Sequence, residues 1–277
     1  MNQRPDQESA NQLDQMCGRL LDVLFEKDRL SYLGKIVRGL IHNVNGPLQN
    51  ISMLVEVLTR GQGQMDGLAR SPQPVIHEQW DTLSEKQRQR LARLTEQVFL
   101  LSEMLRDFMV LQEIERNESE VDIKLVLQKL ASIFRADLFL KHQVDLQLQM
   151  DEAIPLVRVR GRDLIAALIH LFQNAIRAVR ESETKRIVIE CRREEDRIRL
   201  VFRDSGCGLA ADEDAEKLFE LFYSHWPELS SKADTGEKYF GFGLFAARRL
   251  LAPHGVKVEI ERRGDETLSI LEIPLTP

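Results

Sequence analysis

Between residues 33 and 58 the apolar side chains fall at Leu33, Val37, Leu40, Val44, Pro47, Ile51, Leu54 and Leu58, in steps that alternate four, three, four, three. A helix of 3.6 residues per turn lines such positions up along one edge, and a stripe this narrow is the seam of a coiled coil or helical bundle. The spacing predicts one long helix over about 13–60, broken by Gly61 and Gly63, with the turn-rich stretch 61–77 as a loop. A second seam, Leu91, Leu94, Val98, Leu101, Leu105 and Phe108, predicts a second helix. Two helices with such narrow seams cannot enclose a core alone. Two copies of the hairpin make a four-helix bundle, so a homodimer is expected.

The period changes near Asn117. A short strand at 119–123, a helix over 125–140, a strand over 144–150 and a helix over 162–180 are predicted. An antiparallel pair follows at 187–193 and 197–203. A glycine turn and helix over 238–251 precede a hairpin, 256–262 and 267–274, about Gly264-Asp265. Strands and helices in this order suggest a two-layer α/β sandwich. The expected division is an N-terminal helical or flexible segment (1–29), a hairpin (30–116) and a sandwich (117–277).

Charge and composition narrow the function. Lys and Arg number 38 against 44 Asp and Glu, a formal charge of -6, whereas a non-specific nucleic-acid binder needs a basic surface. No apolar run approaches the roughly 20 residues that span a bilayer, and the polar start MNQRPDQESANQ has no signal-peptide core. Three scattered cysteines, Cys17, Cys191 and Cys207, show neither a disulfide framework nor metal spacing. A cytoplasmic protein without membrane insertion or nucleic-acid partner is expected.

The second half carries, in order, LIHLFQNAIRAV, DSGCGL, LFELFY and GFGLFAARRLLAPHG. These segments resemble the N, G1, F and G2 boxes of histidine-kinase-type ATPases, the superfamily that includes gyrase. The resemblance implies an ATP-binding α/β sandwich with ATP and Mg²⁺ as ligands. Asn174 supplies a hard side-chain oxygen suited to Mg²⁺. Arg177, on the same helix face, is placed to meet phosphate. The resemblance also implies that Asp204 accepts a hydrogen bond from the adenine amino group and that Gly206 and Gly208 let the backbone approach the base. Gly241 and Gly243 form a turn before a helix starting near Leu244, whose free N–H groups suit phosphate. Residues 223–240 match the position of the family's ATP lid, in which Lys232 and Lys238 read more readily as solvated side chains than as phosphate ligands. Two departures stand out. Family members usually have glycines where Phe240 and Phe245 stand, and an Asn where His170 stands. Packing is the favoured role for His170, ahead of a base.

The first helix contains LGKIVRGLIHNVNGPLQNI, which resembles the H box of sensor histidine kinases in His42 and Pro47-Leu48. With Val37, Val44 and Ile51 at a and Leu40 and Leu54 at d, His42 falls at f, the most exposed place in a bundle. Gly46 and Pro47 weaken the adjoining helical turn. The family usually has an acid after the His; here it is Asn43. The family's phosphatase residue is replaced by Gly46. The reading is autophosphorylation on His42 from MgATP, followed by transfer to an aspartate on a response-regulator receiver domain. No receiver is recognised in these residues, so a separate partner is expected, with input through the N-terminal helix. The alternatives are a phosphotransfer adaptor or ATP-sensing scaffold of the same fold, which Asn43 favours, and a gyrase-like ATPase.

Overall fold

The computed structural model describes residues 4–69, 77–135, 137–180, 182–206, 208, 214–223 and 241–275. Two long helices, α1 (Arg4–Ala69) and α2 (His77–Glu115), form an antiparallel hairpin. After it come α3 (Ile123–Arg135), α4 (Leu138–Gln143), β1 (Asp145–Met150), α5 (Gly161–Arg180), β2 (Arg186–Arg193) and β3 (Arg197–Asp204). A 3₁₀ turn (Ala215–Phe219), α6 (Gly243–Leu251), β4 (Lys257–Arg263) and β5 (Glu266–Pro274) complete the described elements.

The helix α1 does not stop at Gly61 and Gly63. An interior glycine costs only about 1 kcal/mol relative to alanine, and at Gly61 a close contact offsets it. A Cβ there would lie 2.4 Å from Gln87 Nε2. That amide instead donates to the Leu58 carbonyl at 2.9 Å, joining α2 to α1. The expected loop therefore shortens; its residues 70–76 lie outside the described ones.

Beside the seam expected on α1, of which Val44, Ile51 and Leu58 are half-buried, the helix carries a second apolar stripe. Pro47, Leu54 and Gly61 are buried within the chain. Val37, Ile41, Leu48 and Val55 are exposed, and the stripe continues upstream through Leu30, Val23, Leu20 and Met16, also exposed. Along α2, Leu91, Val98 and Leu105 are exposed while Leu94, Leu101 and Phe108 are half-buried. A helix packed on one neighbour inside its chain keeps a second stripe on another face.

Two other boundaries moved for local reasons. Asp122 Oδ1 accepts from the Leu125 N–H at 3.0 Å and starts α3 at Ile123. The strand expected at 119–123 is thus reduced to one bridge, Val121 with Val157. Asp137 caps a separate α4, accepting from the Phe139 and Leu140 N–H groups, so the helix expected over 125–140 is two. The other strands and helices match the expected ones within two residues, apart from a later start for α6.

The sheet runs in the order β1-β2-β3-β5-β4, parallel only between β1 and β2. Its inner face carries Ile187, Ile189, Ile198, Leu200, Phe202, Leu271 and Ile273, all fully buried under the helices. Leu111, near the end of α2, belongs to the same core, and Lys129 of α3 bonds Asp107 of α2 at 2.5 Å. The hairpin and sandwich are therefore packed together at that end. Among the described residues no helix is long and apolar enough to cross a membrane.

Candidate functional site

The α5 helix is the spine of the site. Its core face, including Leu164, Leu168, Leu171, Phe172, Ala175 and Val179, follows helical spacing and is buried on the sheet. His170, Asn174 and Ala178 succeed one another at four-residue steps, about 12 Å along the helix in all. A glycine turn approaches the helix at each end of this row.

At one end, β3 delivers Asp204, only 4% exposed, to the inner face of the sheet. Its Oδ1 accepts from the Gly206 N–H at 3.0 Å. Burial pushes the carboxyl up from 3.8 to about 7; the Gly206 N–H opposes this, and the charge of Glu266 adds to it. Gly206 crosses α5 so closely that a Cβ would lie 2.3 Å from Ala178 Cβ and 2.6 Å from the Ala178 carbonyl carbon. No residue but glycine fits there. Gly208 has φ +69 and faces Thr267 Oγ1. Cys207 lies outside the described residues.

Thr267 did not stand out in the sequence. It pairs with Asp204 across the β3–β5 ladder, and its Oγ1 is closed to solvent without a hydrogen-bond partner among the described residues. A buried hydroxyl without a partner is costly, and ligand sites are where such groups collect. No local signal marks it: the Gly264-Asp265 turn sets the register of β5 against β4, whereas Asp204 faces Thr267 through the separate, long-range β3–β5 pairing.

At the other end, Gly241 has φ +62, and a Cβ there would sit 2.1 Å from the Tyr223 carbonyl oxygen. Gly243 opens α6 beside His170, where a Cβ would lie 3.2 Å from Nδ1. The residue before it, Phe242, provides no side-chain cap, so the first N–H groups of α6, Leu244 among them, have the character of an anion site. Leu244 itself packs on the core. The F-box segment braces α6 from outside: Arg248 bonds Glu216 at 2.7 Å and lies 4.5 Å over the Phe219 ring. Phe222, exposed at the edge, has the unusual φ of +66.

Asn174 and Arg177 are half-buried on the α5 face between the two glycine turns. The structure thus gathers Asn174, Arg177, Asp204, Gly206, Gly208, Gly241, Gly243 and Leu244 around one helix. His170 is buried and bonded through Nε2 to Asp28 of α1 at 2.8 Å, in keeping with a packed residue. His42 and Asn43 lie within α1, and their side chains are outside the described set; Lys232 and Lys238 are also outside it.

One end of α5 thus meets a buried carboxylate and the other meets the free N–H groups at the start of α6. Residues 160–277 match the family described as histidine kinase-, DNA gyrase B- and HSP90-like ATPase. Over longer stretches the chain is similar to sensor histidine kinases. It is 26% identical over 241 residues to the C4-dicarboxylate transport sensor protein DctB of Rhizobium meliloti, covering 86% of this chain and 34% of that protein. It is 25% identical over 261 residues to the sensor protein FixL of Bradyrhizobium diazoefficiens, covering 92% and 45%. Among solved structures, the nucleotide-free catalytic domain of histidine kinase ThkA matches with a TM-score of 0.48 and 25% identity, over 57% of this chain and 98% of that one. The chain spans less than half the length of these curated relatives.

Proposed function

We propose that this chain is the core of a sensor histidine kinase, a homodimer that phosphorylates His42 from ATP and passes the phosphoryl group to a response-regulator aspartate. The observation that carries the ATP half is Asp204: a carboxylate buried to 4% exposure, opposite the Thr267 hydroxyl, which has no hydrogen-bond partner among the described residues. Fixed, desolvated polar groups of this kind read one edge of a planar base. In this reading Asp204 accepts from the adenine amino group, Gly206 and Gly208 let the base approach, and Gly241, Gly243 and the first α6 amides hold phosphate. Arg177 adds charge. Asn174 would hold a magnesium ion, which supplies charge neutralisation on the phosphate oxygens. Among the described residues no group of three or more His, Cys, Asp or Glu could hold a metal.

The Nε2 lone pair of His42 attacks the γ-phosphorus. The N–P bond forms as the bond to the β–γ bridging oxygen breaks, and ADP leaves. The ring becomes an imidazolium, which then loses the Nδ1 proton. Asn43 can accept a hydrogen bond from Nδ1–H and orient the ring, but an amide cannot take the proton. The expected division into a hairpin at 30–116 and a catalytic domain at 117–277 belongs to this reading. So does the dimer: the exposed stripes Val37, Ile41, Leu48, Val55 and Leu91, Val98, Leu105 suit a second copy of the hairpin.

Asn43 also favours a second reading, a scaffold that binds ATP without transferring phosphate. Incubation with γ-labelled ATP separates the readings. A kinase gives an acid-labile, base-stable label that His42→Ala abolishes. A scaffold stays unlabelled, and a gyrase-like ATPase only releases phosphate.

A further inference from the structure

The segment that carries LFELFY is fastened to α6 by one side chain that the nucleotide site does not itself contain. Asp214 Oδ1 accepts from the Glu216 N–H at 3.1 Å and starts the 3₁₀ turn Ala215–Phe219. Phe219, 7% exposed, belongs to the same core as Ala247 and Leu251 of α6. Arg248 lies 4.5 Å over the Phe219 ring and donates to Glu216 through both Nη atoms, at 2.7 and 3.4 Å. A guanidinium held by two bonds is fixed in angle as well as in distance. Three residues after Phe219, Phe222 takes φ +66, a conformation that a bulky residue keeps only where its surroundings impose it. Tyr223 follows. Its N–H donates to the Glu220 carbonyl at 3.2 Å, and its own carbonyl fills the space where Gly241 would carry a Cβ. The contacts close a ring: Arg248 to Glu216, along the chain to Tyr223, across to Gly241, and back into α6.

We infer that Arg248 is a positioning residue for phosphate: by pinning Glu216 and Phe219 to α6 it holds the Tyr223 carbonyl against Gly241 and so sets the path of the Gly241–Gly243 turn. This deepens the nucleotide reading given above and does not depend on phosphotransfer. Arg248 lies five residues beyond Gly243, about 7.5 Å along α6, so it acts through the turn and not on the ligand. The turn needs walls, because glycine restricts the backbone less than any other residue. Its inner wall is His170, whose Nδ1 would lie 3.2 Å from a Cβ at Gly243. Its outer wall is Tyr223, and that wall is only as firm as the strained segment behind it. Once Arg248 lets go, Phe222 can relax, Tyr223 moves off Gly241, and the first α6 N–H groups lose their fixed aim. The base end is built from β3, β5 and Ala178 of α5, outside the ring. The loss should therefore fall on the phosphates and spare the base. It should also be modest, since the Arg248 and Glu216 side chains are 42% and 69% exposed.

The test compares the full chain as wild type, Arg248→Met, Arg248→Lys and the charge exchange Arg248→Glu/Glu216→Arg. Affinities for MgATP and for adenosine are measured by calorimetry, and thermal unfolding without ligand confirms that each variant is folded. Arg248→Met keeps the stem over Phe219 and removes the fork, and should bind MgATP about fivefold more weakly with adenosine affinity unchanged. Arg248→Lys keeps the charge but not the paired bonds and should fall between. The charge exchange rebuilds the link in reverse and should recover part of the loss. Equal losses for MgATP and adenosine would make the contact merely structural and overturn the proposal. So would unchanged MgATP affinity in a folded Arg248→Met, or a charge exchange no better than Arg248→Met. A wild type that binds neither MgATP nor adenosine removes the nucleotide reading itself, and the role of Arg248 with it.

Discussion

Replacing Asp204 by Asn should stabilise the empty protein and weaken its hold on ATP, two effects of opposite sign from one atom. In the folded chain burial raises this carboxyl from 3.8 to about 7. Below about pH 4 it is protonated folded or unfolded, and nothing is lost. Between about pH 4 and 7 the unfolded chain ionises while the folded one resists, so stability falls as pH rises; above about 7 the cost is complete. Roughly three pKa units at 1.36 kcal/mol each set a ceiling of about 4 kcal/mol. Asn keeps the oxygen that accepts from Gly206, carries no charge, and presents an amide to the Thr267 hydroxyl across the ladder. Thermal unfolding at pH 8 should therefore show Asp204→Asn melting higher than wild type by several degrees, the gap closing towards pH 4. Binding should go the other way. A charged acceptor is worth about 1.5–3 kcal/mol and a neutral one about 0.5–1.5, so ATP affinity by calorimetry at pH 8 should fall about tenfold. Wild-type affinity should also weaken as pH drops below 7, and the variant's should do so less. An Asn variant less stable than wild type at pH 8, or one that binds ATP equally well, would refute the assignment of this carboxylate.

Four shorter tests follow from other parts of the molecule. Val98→Asp, at a position exposed within one chain, should leave the fold intact but convert the dimer to monomer in sedimentation at micromolar concentration, because in the bundle it buries an unpaired charge. Autophosphorylation should be lost in His42→Ala and faster in Asn43→Glu, within the 10²–10⁴-fold that general bases typically contribute; equal labelling rates for Asn43→Glu and wild type would place proton transfer elsewhere. Gly61→Ala should be nearly neutral in wild type, where a gain of about 1 kcal/mol in helix propensity is offset by the displaced Gln87 amide. In a Gln87→Ala background the same change should stabilise by about 1 kcal/mol, and chemical denaturation of both pairs checks the difference.

The glycines of the candidate site stood out in the sequence because they answer several demands at once. Gly206 must clear Ala178 and give its N–H to Asp204; Gly241 must adopt a positive φ while touching the Tyr223 carbonyl. Such positions admit few side chains, so their letters survive as motifs with fixed spacing. Thr267 was hidden for the converse reason. A threonine in a strand satisfies any β-ladder, and only the pairing with Asp204 gives it a further meaning. The α1 helix misled twice. Its seam is only one of two apolar stripes, and the exposed one through Ile41, Leu48 and Val55 went unread. Its glycines, read as breakers, include one required by Gln87, a residue of another helix.

The contact of Phe25 and Asp28 with the sandwich was beyond the same method, and the reason bears on how the molecule works. Nothing local marks these residues: Phe25 breaks no pattern, and Asp28 is an ordinary charge on a helix. Their partners, His170, Phe242 and Phe245, lie more than 140 residues away. Yet two of the departures from the family pattern that the sequence did show, His170 and Phe245, are residues that α1 touches, while Phe240 lies outside the described residues. A phenylalanine in place of glycine adds a ring that Phe25 can stack on. An imidazole in place of an amide adds a group that a carboxylate can hold strongly. The substitutions that made the phosphate turn look stiff and crowded are thus the surface that receives the upstream helix. The same positions therefore connect the candidate site to the segment of α1 whose other face is exposed.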